Sequence, residues 1–528
     1  MPVRLWMLLL WVCFVVRGAF YVCAIPLWEG FDEYAHYARI EYLATLGREP
    51  LRTTPVPDDI AETMAHVPTH NGGMSFDRYW RLTPTERQTP FSIPQAYVYE
   101  AQQPPLFYWL SAAFDRLLGK SPLASRVVFL RMICVLLASV CVPIGFLIAR
   151  QVFGKLVLAL MSTALIAALP LLTYTATHVS NDGLAIGLGT LVVLLVLRRN
   201  GVALGAALGA ALLTKAFFLA FLPPVILLLF YRTTRRSAAV ALLGAVAIAG
   251  WWYGDNWIGT RSLTGNIMLV QPSLGQMAAG ISKLNWIKSA DYGWITVVWT
   301  GNWSFLGLRS WMYRCMAVLT ILALAGVLKL LWKGNRDIAY LRNSRKTERG
   351  AKHFLDGIEV CTAPFALLTS FLASFAVALG YFALATFAVT GYPGAVGWYS
   401  CCLAAPFAIV MTAGLRSIAP QRLKAASGPI LVGAYAALEL FGVNMYLLPY
   451  YAGFISHLPS GGLPALRVAQ LGNGGFRALF ERLALYKPAW LTAPILISLW
   501  ILFLLATAAL MAVSMYLARV RVESSADP

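Results

Sequence analysis

Asp32, Glu33, His36, Arg39 and Glu41 fall within ten residues of one another in the stretch 26–50, directly after the first apolar run. Only 12% of the 528 residues are charged, so this density needs a reason. In Asp32-Glu33-x-x-His36, two carboxylates and an imidazole could supply a general base, a divalent-cation site, or both. Tyr37, Ile40 and Leu43-Ala44 recur at helical spacing, which predicts a short amphipathic helix on a membrane surface. On that helix Asp32 and Glu33 would both reach toward His36. The plain alternative is a solvated helix start, with Asp32 favoured by the helix dipole.

Four further sets of residues could do chemistry. Glu100-Ala-Gln-Gln103-Pro104-Pro105-Leu-Phe-Tyr108 pairs an extended approach with a helix start, and Tyr108 and Trp109 suit an interface. Thr177-His178-Val-Ser180-Asn181-Asp182 puts an acid and an amide at the end of an apolar run, either for function or as a helix cap. Lys215, Arg17 and Arg131 are cations in or beside apolar runs, suited to a lipid phosphate or to snorkelling. Eight of the 17 tryptophans lie in 251–311, which fits an aromatic belt, sugar stacking or a cover over a lipid path.

The elements that must position these residues are membrane spans. Hydrophobic residues make up 59% of the chain and mean hydropathy is +0.67, whereas soluble domains run at about 45–50% apolar. The expected fold is an all-α polytopic membrane protein with about 12 transmembrane helices (11–13) and an amphipathic-helical first external loop. The predicted spans are 4–26, 124–149, 156–175, 183–198, 201–214, 216–231, 237–253, 311–332, 361–390, 397–415, 428–449 and 490–518. The pair 201–214 and 216–231 could be one kinked passage, since Pro223-Pro224 removes backbone donors. The N-terminal run resembles a signal peptide, but its length of roughly 20 residues suits a retained span.

The net charge of +19 follows from Lys and Arg collecting in short loops, as the positive-inside rule requires. The 333–356 loop has seven Lys/Arg against three acids, a net of +4, which places it inside. The 27–104 loop has eleven acids against six Lys/Arg, a net of −5, which places it outside. The basic segment 450–489 is expected outside too, facing lipid phosphates if the span count is right. The chain then divides into a module 1–332, a cytoplasmic loop 333–360 and further spans in 361–528. Eight cysteines without CxxC spacing read as packing residues. No Gly-rich phosphate loop follows a strand, and no internal repeat supports an inverted-repeat transporter. The stretch 26–50 thus reads as the rim of a membrane enzyme.

Asp32-Glu33, Gln103-Pro104-Pro105-Leu-Phe-Tyr108 and Ser180-Asn181-Asp182, in this order and on one side, resemble the GT-C superfamily of membrane glycosyltransferases. The resemblance is to the branch of protein O-mannosyltransferases and aminoarabinose transferases, and covers about the first 260 residues. Gln103 stands where a histidine is common, and Gly397-Trp398-Tyr399 where relatives often have Gly-Arg-Tyr. The resemblance implies transfer of a sugar from a polyprenyl-phosphate donor, with inversion, to a glycan, lipid or protein acceptor outside the cytoplasmic membrane. It implies Asp32 as base, Glu33 as helper for the acceptor or a cation, and Tyr108, Asn181, Asp182, Lys215 and Arg131 as substrate contacts. Neither nucleic acid nor a certain cofactor is implied, and a divalent cation is compatible. The competing classes are a transporter or lipid flippase, and a noncatalytic assembly protein of the envelope.

Overall fold

The computed structural model describes residues 2–69, 73–265, 271–343, 360–394 and 396–524. Residues 344–359 of the expected cytoplasmic loop lie outside the described residues. The described residues form helices and no sheet, with isolated bridges only at Pro55–Tyr97 and Phe153–Val360. Among the described residues, eight helices are long and apolar enough to cross a membrane: Val3–Ala24, Leu123–Val152, Arg235–Thr260, Ser310–Gly334, Thr362–Thr390, Gly397–Ile418, Ser427–Tyr451 and Ala493–Arg519. The all-α membrane fold is borne out. The exact count of about twelve is not confirmed.

The difference lies in the middle of the first half. The expected span 156–175 breaks into Leu156–Ala168 and Pro170–Thr175, because Pro170 has no N–H to continue the helical ladder. Asp182–Arg198 has 17 residues and Gly201–Leu212 has 12, so each is shorter than the roughly 20 needed for a full crossing. Beyond Lys215 the chain makes a 3-10 turn at Ala216–Phe221 and a short helix Leu222–Leu227 containing Pro223-Pro224. The kinked passage considered for this pair is what forms. Broken helices leave backbone groups and a charge inside the bundle, which is tolerated only beside protein partners or a wet cavity.

The 27–104 loop is not a surface helix. It folds into the helices Glu33–Leu46 and Asp58–Met64, two shorter helices, and a 3-10 turn at Tyr99–Gln102. Every residue from Glu33 to Glu41 is buried. Apolar and aromatic side chains surround the helix on all sides: Trp28, Tyr37, Ile40, Ile60, Phe107, Tyr108 and Leu130 share one core. A one-sided apolar stripe is therefore the wrong expectation for a helix enclosed by its own loop. A second, larger core joins the spans, with Phe14, Phe20, Leu165, Val193, Ile409 and Phe503 among its fully buried members.

The basic 450–489 segment docks onto this loop. Lys487 donates to the carbonyls of Cys23 and Ile25, where the first span leaves carbonyls unpaired and a cation is favoured. Trp80 Nε1 donates to the Tyr451 carbonyl at 3.0 Å, and the Arg482 guanidinium lies 4.9 Å over the Trp80 ring. These charges serve docking within the chain. None of the eight cysteines is paired, and six are buried.

Candidate active site

Asp32 begins the Glu33–Leu46 helix in the left-handed region, at φ 54°. Aspartate tolerates this conformation better than most residues, at a cost on the order of 1 kcal/mol. Asp32 holds the N-cap position, yet its side chain makes no cap bond. It accepts instead a hydrogen bond from the Tyr99 hydroxyl. Gly30, two residues earlier, packs so close that an added Cβ would stand 2.7 Å from the His178 ring. The tight turn thus gives up a helix cap to aim a carboxylate inward.

Inward is a cavity of 560 Å³ at the junction of the two cores. Its polar lining includes Asp32, His36, Glu100, Gln103, Asp182 and Lys215. Its apolar lining includes Phe375, Ala378, Leu379 and Phe382 of the Thr362–Thr390 span. Trp257, Arg261 and Thr264 line it as well. The Trp398 ring stacks on Phe31 with centroids 3.8 Å apart, and Tyr399 lines the wall beside Lys215.

Lys215 sits at the break between two short helices, in extended backbone. Its ammonium pairs with the Asp182 carboxylate and lies 5.2 Å from the Phe217 ring centroid and 5.4 Å from that of Tyr399. Asn181 Nδ2 donates to the Thr214 carbonyl at 3.1 Å, which fixes the turn that presents Lys215. Leu106 N–H donates to the Leu213 carbonyl at 2.9 Å, which ties the segment after Pro104-Pro105 to the same turn.

Glu100 enters on the 3-10 turn, with Gln103 just after it. Arg39 Nη1 grips this turn by the carbonyls of Glu100 (3.0 Å) and Gln103 (2.8 Å), and its guanidinium lies 3.9 Å over the Tyr108 ring. The upstream strand is pinned by Val98 N–H to the Thr54 carbonyl at 2.9 Å. Burial and the nearby Asp32 charge push the Glu100 carboxyl up to about 8, against the opposing pull of Lys215, Gln103 and Arg39. Burial also raises the Asp32 carboxyl, while the Tyr99 hydrogen bond and Lys215 oppose it and Asp182 adds to it. His36 is held neutral: burial, then Lys215 and Arg39, drive its value well below the ordinary range. Its Nδ1 lies 2.7 Å from the Tyr108 hydroxyl.

The structure therefore brings Asp32, Asp182 and Lys215 together, and places four other expected site residues behind the wall. Glu33 is fully buried on the far side of its helix turn, bound to Arg131 Nε (2.7 Å) and Nη2 (2.5 Å) and to the N–H groups of Trp28 (3.1 Å) and Val179 (3.0 Å). Adjacent helix positions point about 100° apart, so Asp32 and Glu33 cannot share a face. Arg131 also caps the carbonyls of Val22, Ile25 and Pro26, which leaves it no reach to a lipid phosphate. Tyr108 is buried against His36 and Arg39, and Asn181 against Thr214. Arg17 pairs with Glu439 at 2.6 Å inside the bundle. Glu100 heads one of the motifs named from the sequence but was given no role there, and Tyr99 and the grip of Arg39 were not anticipated. The available signal for Glu100 was an acid directly before the Gln103-Pro104-Pro105 segment in an acid-rich loop.

The cavity lies within a multi-pass bundle of membrane-length helices. Residues 102–252 match the family model described as dolichyl-phosphate-mannose-protein mannosyltransferase, which bears out the GT-C resemblance. The matched segment contains Asp182 and Lys215; Asp32, Glu100 and Trp398 lie outside it. Among solved structures, the chain is similar to ArnT from Cupriavidus metallidurans bound to undecaprenyl phosphate (TM-score 0.46, 12% identity, 97% of this chain and 78% of that one). It is also similar to the apo oligosaccharyltransferase of Archaeoglobus fulgidus (TM-score 0.42, 11% identity, 83% and 55%). A third is the arabinosyltransferase EmbB of Mycobacterium smegmatis (TM-score 0.41, 12% identity, 96% and 41%). No curated protein sequence matches the chain.

Proposed function

We propose that the protein transfers a sugar from a polyprenyl-phosphate donor to an acceptor hydroxyl outside the cytoplasmic membrane, with inversion at the anomeric carbon. One observation carries this reading: a single cavity is lined both by charged side chains and by apolar side chains of a membrane-length helix. A sugar phosphate on a long hydrocarbon has the same two characters, and the matched family is named for such a donor.

In this reading the lipid tail lies past Phe375, Ala378 and Phe382, and the head group sits between Asp32 and Lys215. The acceptor oxygen attacks the anomeric carbon, the carbon–oxygen bond to phosphate breaks, and its electron pair leaves on the phosphate oxygen. Asp32 takes the acceptor's proton, for which a carboxyl raised above its ordinary range is well matched. Tyr99 orients Asp32. Lys215 offsets the charge gained by the leaving phosphate, and Asp182 holds the ammonium in place until the donor arrives.

Purified full-length protein in lipid vesicles, given labelled polyprenyl-phosphate sugars and a membrane extract as acceptor, tests the reading. Transfer by the wild type and none by Asp32→Asn is expected. Full transfer by Asp32→Asn removes Asp32 as base, and flux of the lipid-linked sugar across the vesicle without transfer would favour a flippase.

A further inference from the structure

We infer that Glu100 is a substrate-binding residue whose free carboxyl oxygen receives a hydroxyl of the donor sugar, and that it thereby separates the sugar-bearing lipid from the bare lipid phosphate. The inference rests on the glycosyl-transfer reading above and adds a residue which that reading does not use.

Glu100 lines the cavity and is 6% exposed. Its Oε2 is buried and meets no hydrogen-bond partner among the described residues. A buried carboxyl oxygen left unpaired is costly, so its persistence calls for a partner that arrives from outside. The Gln103 side chain bonds this carboxyl but leaves Oε2 unpaired, and the other donors around it are committed elsewhere. Lys215 is paired with Asp182, His36 Nδ1 is 3.9 Å away and engaged with Tyr108, and Tyr99 donates to Asp32. Arg39 spends its guanidinium on Glu49 and on the carbonyls of Glu100 and Gln103. That same grip fixes the turn that carries Glu100 in the cavity wall.

The chemistry of the partner follows from the surroundings. The Asp32 carboxylate beside it repels an anion, so the donor's phosphate belongs at Lys215. A carboxyl that keeps its proton to about pH 8 can both donate and accept, as a sugar's neighbouring hydroxyls do. The groups facing it are Asp32, Tyr34, Tyr99, Tyr108, Tyr399, His36, Arg39, Gln103 and Lys215.

The test compares binding of undecaprenyl phosphate with binding of the same lipid carrying mannose, glucose or arabinose, on the full chain in detergent. The wild type is expected to bind at least one sugar-bearing lipid more tightly than the bare lipid. Glu100→Ala should weaken that lipid about tenfold and leave the bare lipid within twofold. The isosteric Glu100→Gln should keep most of the preference, and should lose the wild type's decline in preference as pH rises through about 8. Equal weakening of both lipids, unchanged binding of both, or no preference for any sugar in the wild type would overturn the inference. If the wild type binds none of these lipids, the donor reading itself fails, an outcome distinct from a bare lipid that binds normally while Glu100 proves irrelevant. Should Glu100→Ala not fold, Glu100→Gln alone decides through its pH dependence.

Discussion

Removing the Glu33 carboxylate should unfold this protein before it affects the chemistry. Glu33 and Arg131 are both fully buried, and the pair is saturated: two bonds between them, the Trp28 and Val179 N–H groups on one side, three carbonyls on the other. Burial alone would raise the Glu33 carboxyl, but the Arg131 guanidinium reverses that and holds it below its ordinary value. Glu33→Gln keeps the shape and leaves a buried guanidinium without its counter-charge, which costs about 3–5 kcal/mol. Pairing it with Arg131→Met removes the orphaned charge, and the two changes should couple favourably by about 1–3 kcal/mol. The assay is denaturant or thermal unfolding in detergent, alongside transfer measured at a temperature where the variant stays folded. A Glu33→Gln protein of wild-type stability that transfers no sugar would refute this account and return Glu33 to the chemistry. The sign with pH is also set. A lowered carboxyl contributes stability that is complete above its unfolded value near 4.5 and is lost as pH falls through the native value.

Asp32→Asn should lower transfer by about 10²–10⁴-fold, the usual cost of a missing general base, while donor binding persists. Lys215→Met should weaken binding of undecaprenyl phosphate by about 10–100-fold, the worth of a charge-assisted hydrogen bond, and titration with the bare lipid measures it. Ala378→Trp should narrow the cavity along its apolar lining and raise KM for long-chain donors more than for short-chain analogues. The ratio kcat/KM should fall as pH rises through about 8, because Glu100 then ionises beside Asp32; Glu100→Gln should flatten that limb. Glu100 is a raised carboxyl, so its stability contribution is complete below its unfolded value near 4.5 and is lost across the same rise.

The amino-acid sequence by itself determined the class of the molecule and the shortlist of its chemistry. Long apolar runs with so few charges can only be buried in lipid or in one another, so the helical membrane fold was legible without coordinates. Asp32, Asp182 and Lys215 stood out for the same reason: a charge at the edge of an apolar run is costly and must have a use. What composition and spacing could not supply was direction. Neighbouring carboxylates at 32 and 33 read as one motif, and only the packing of their helix on Leu106–Leu118 and the 3-10 turn Tyr99–Gln102 sends one into the cavity and the other onto Arg131. Glu100 was hidden likewise. It heads a motif that gave it no role, and it became a candidate only when Arg39 fixed its turn and the broken helix at Lys215 lined the same cavity, with one carboxyl oxygen left unpaired. Contacts between distant segments leave no local period in the chain; they exist only once the loop has folded over the bundle.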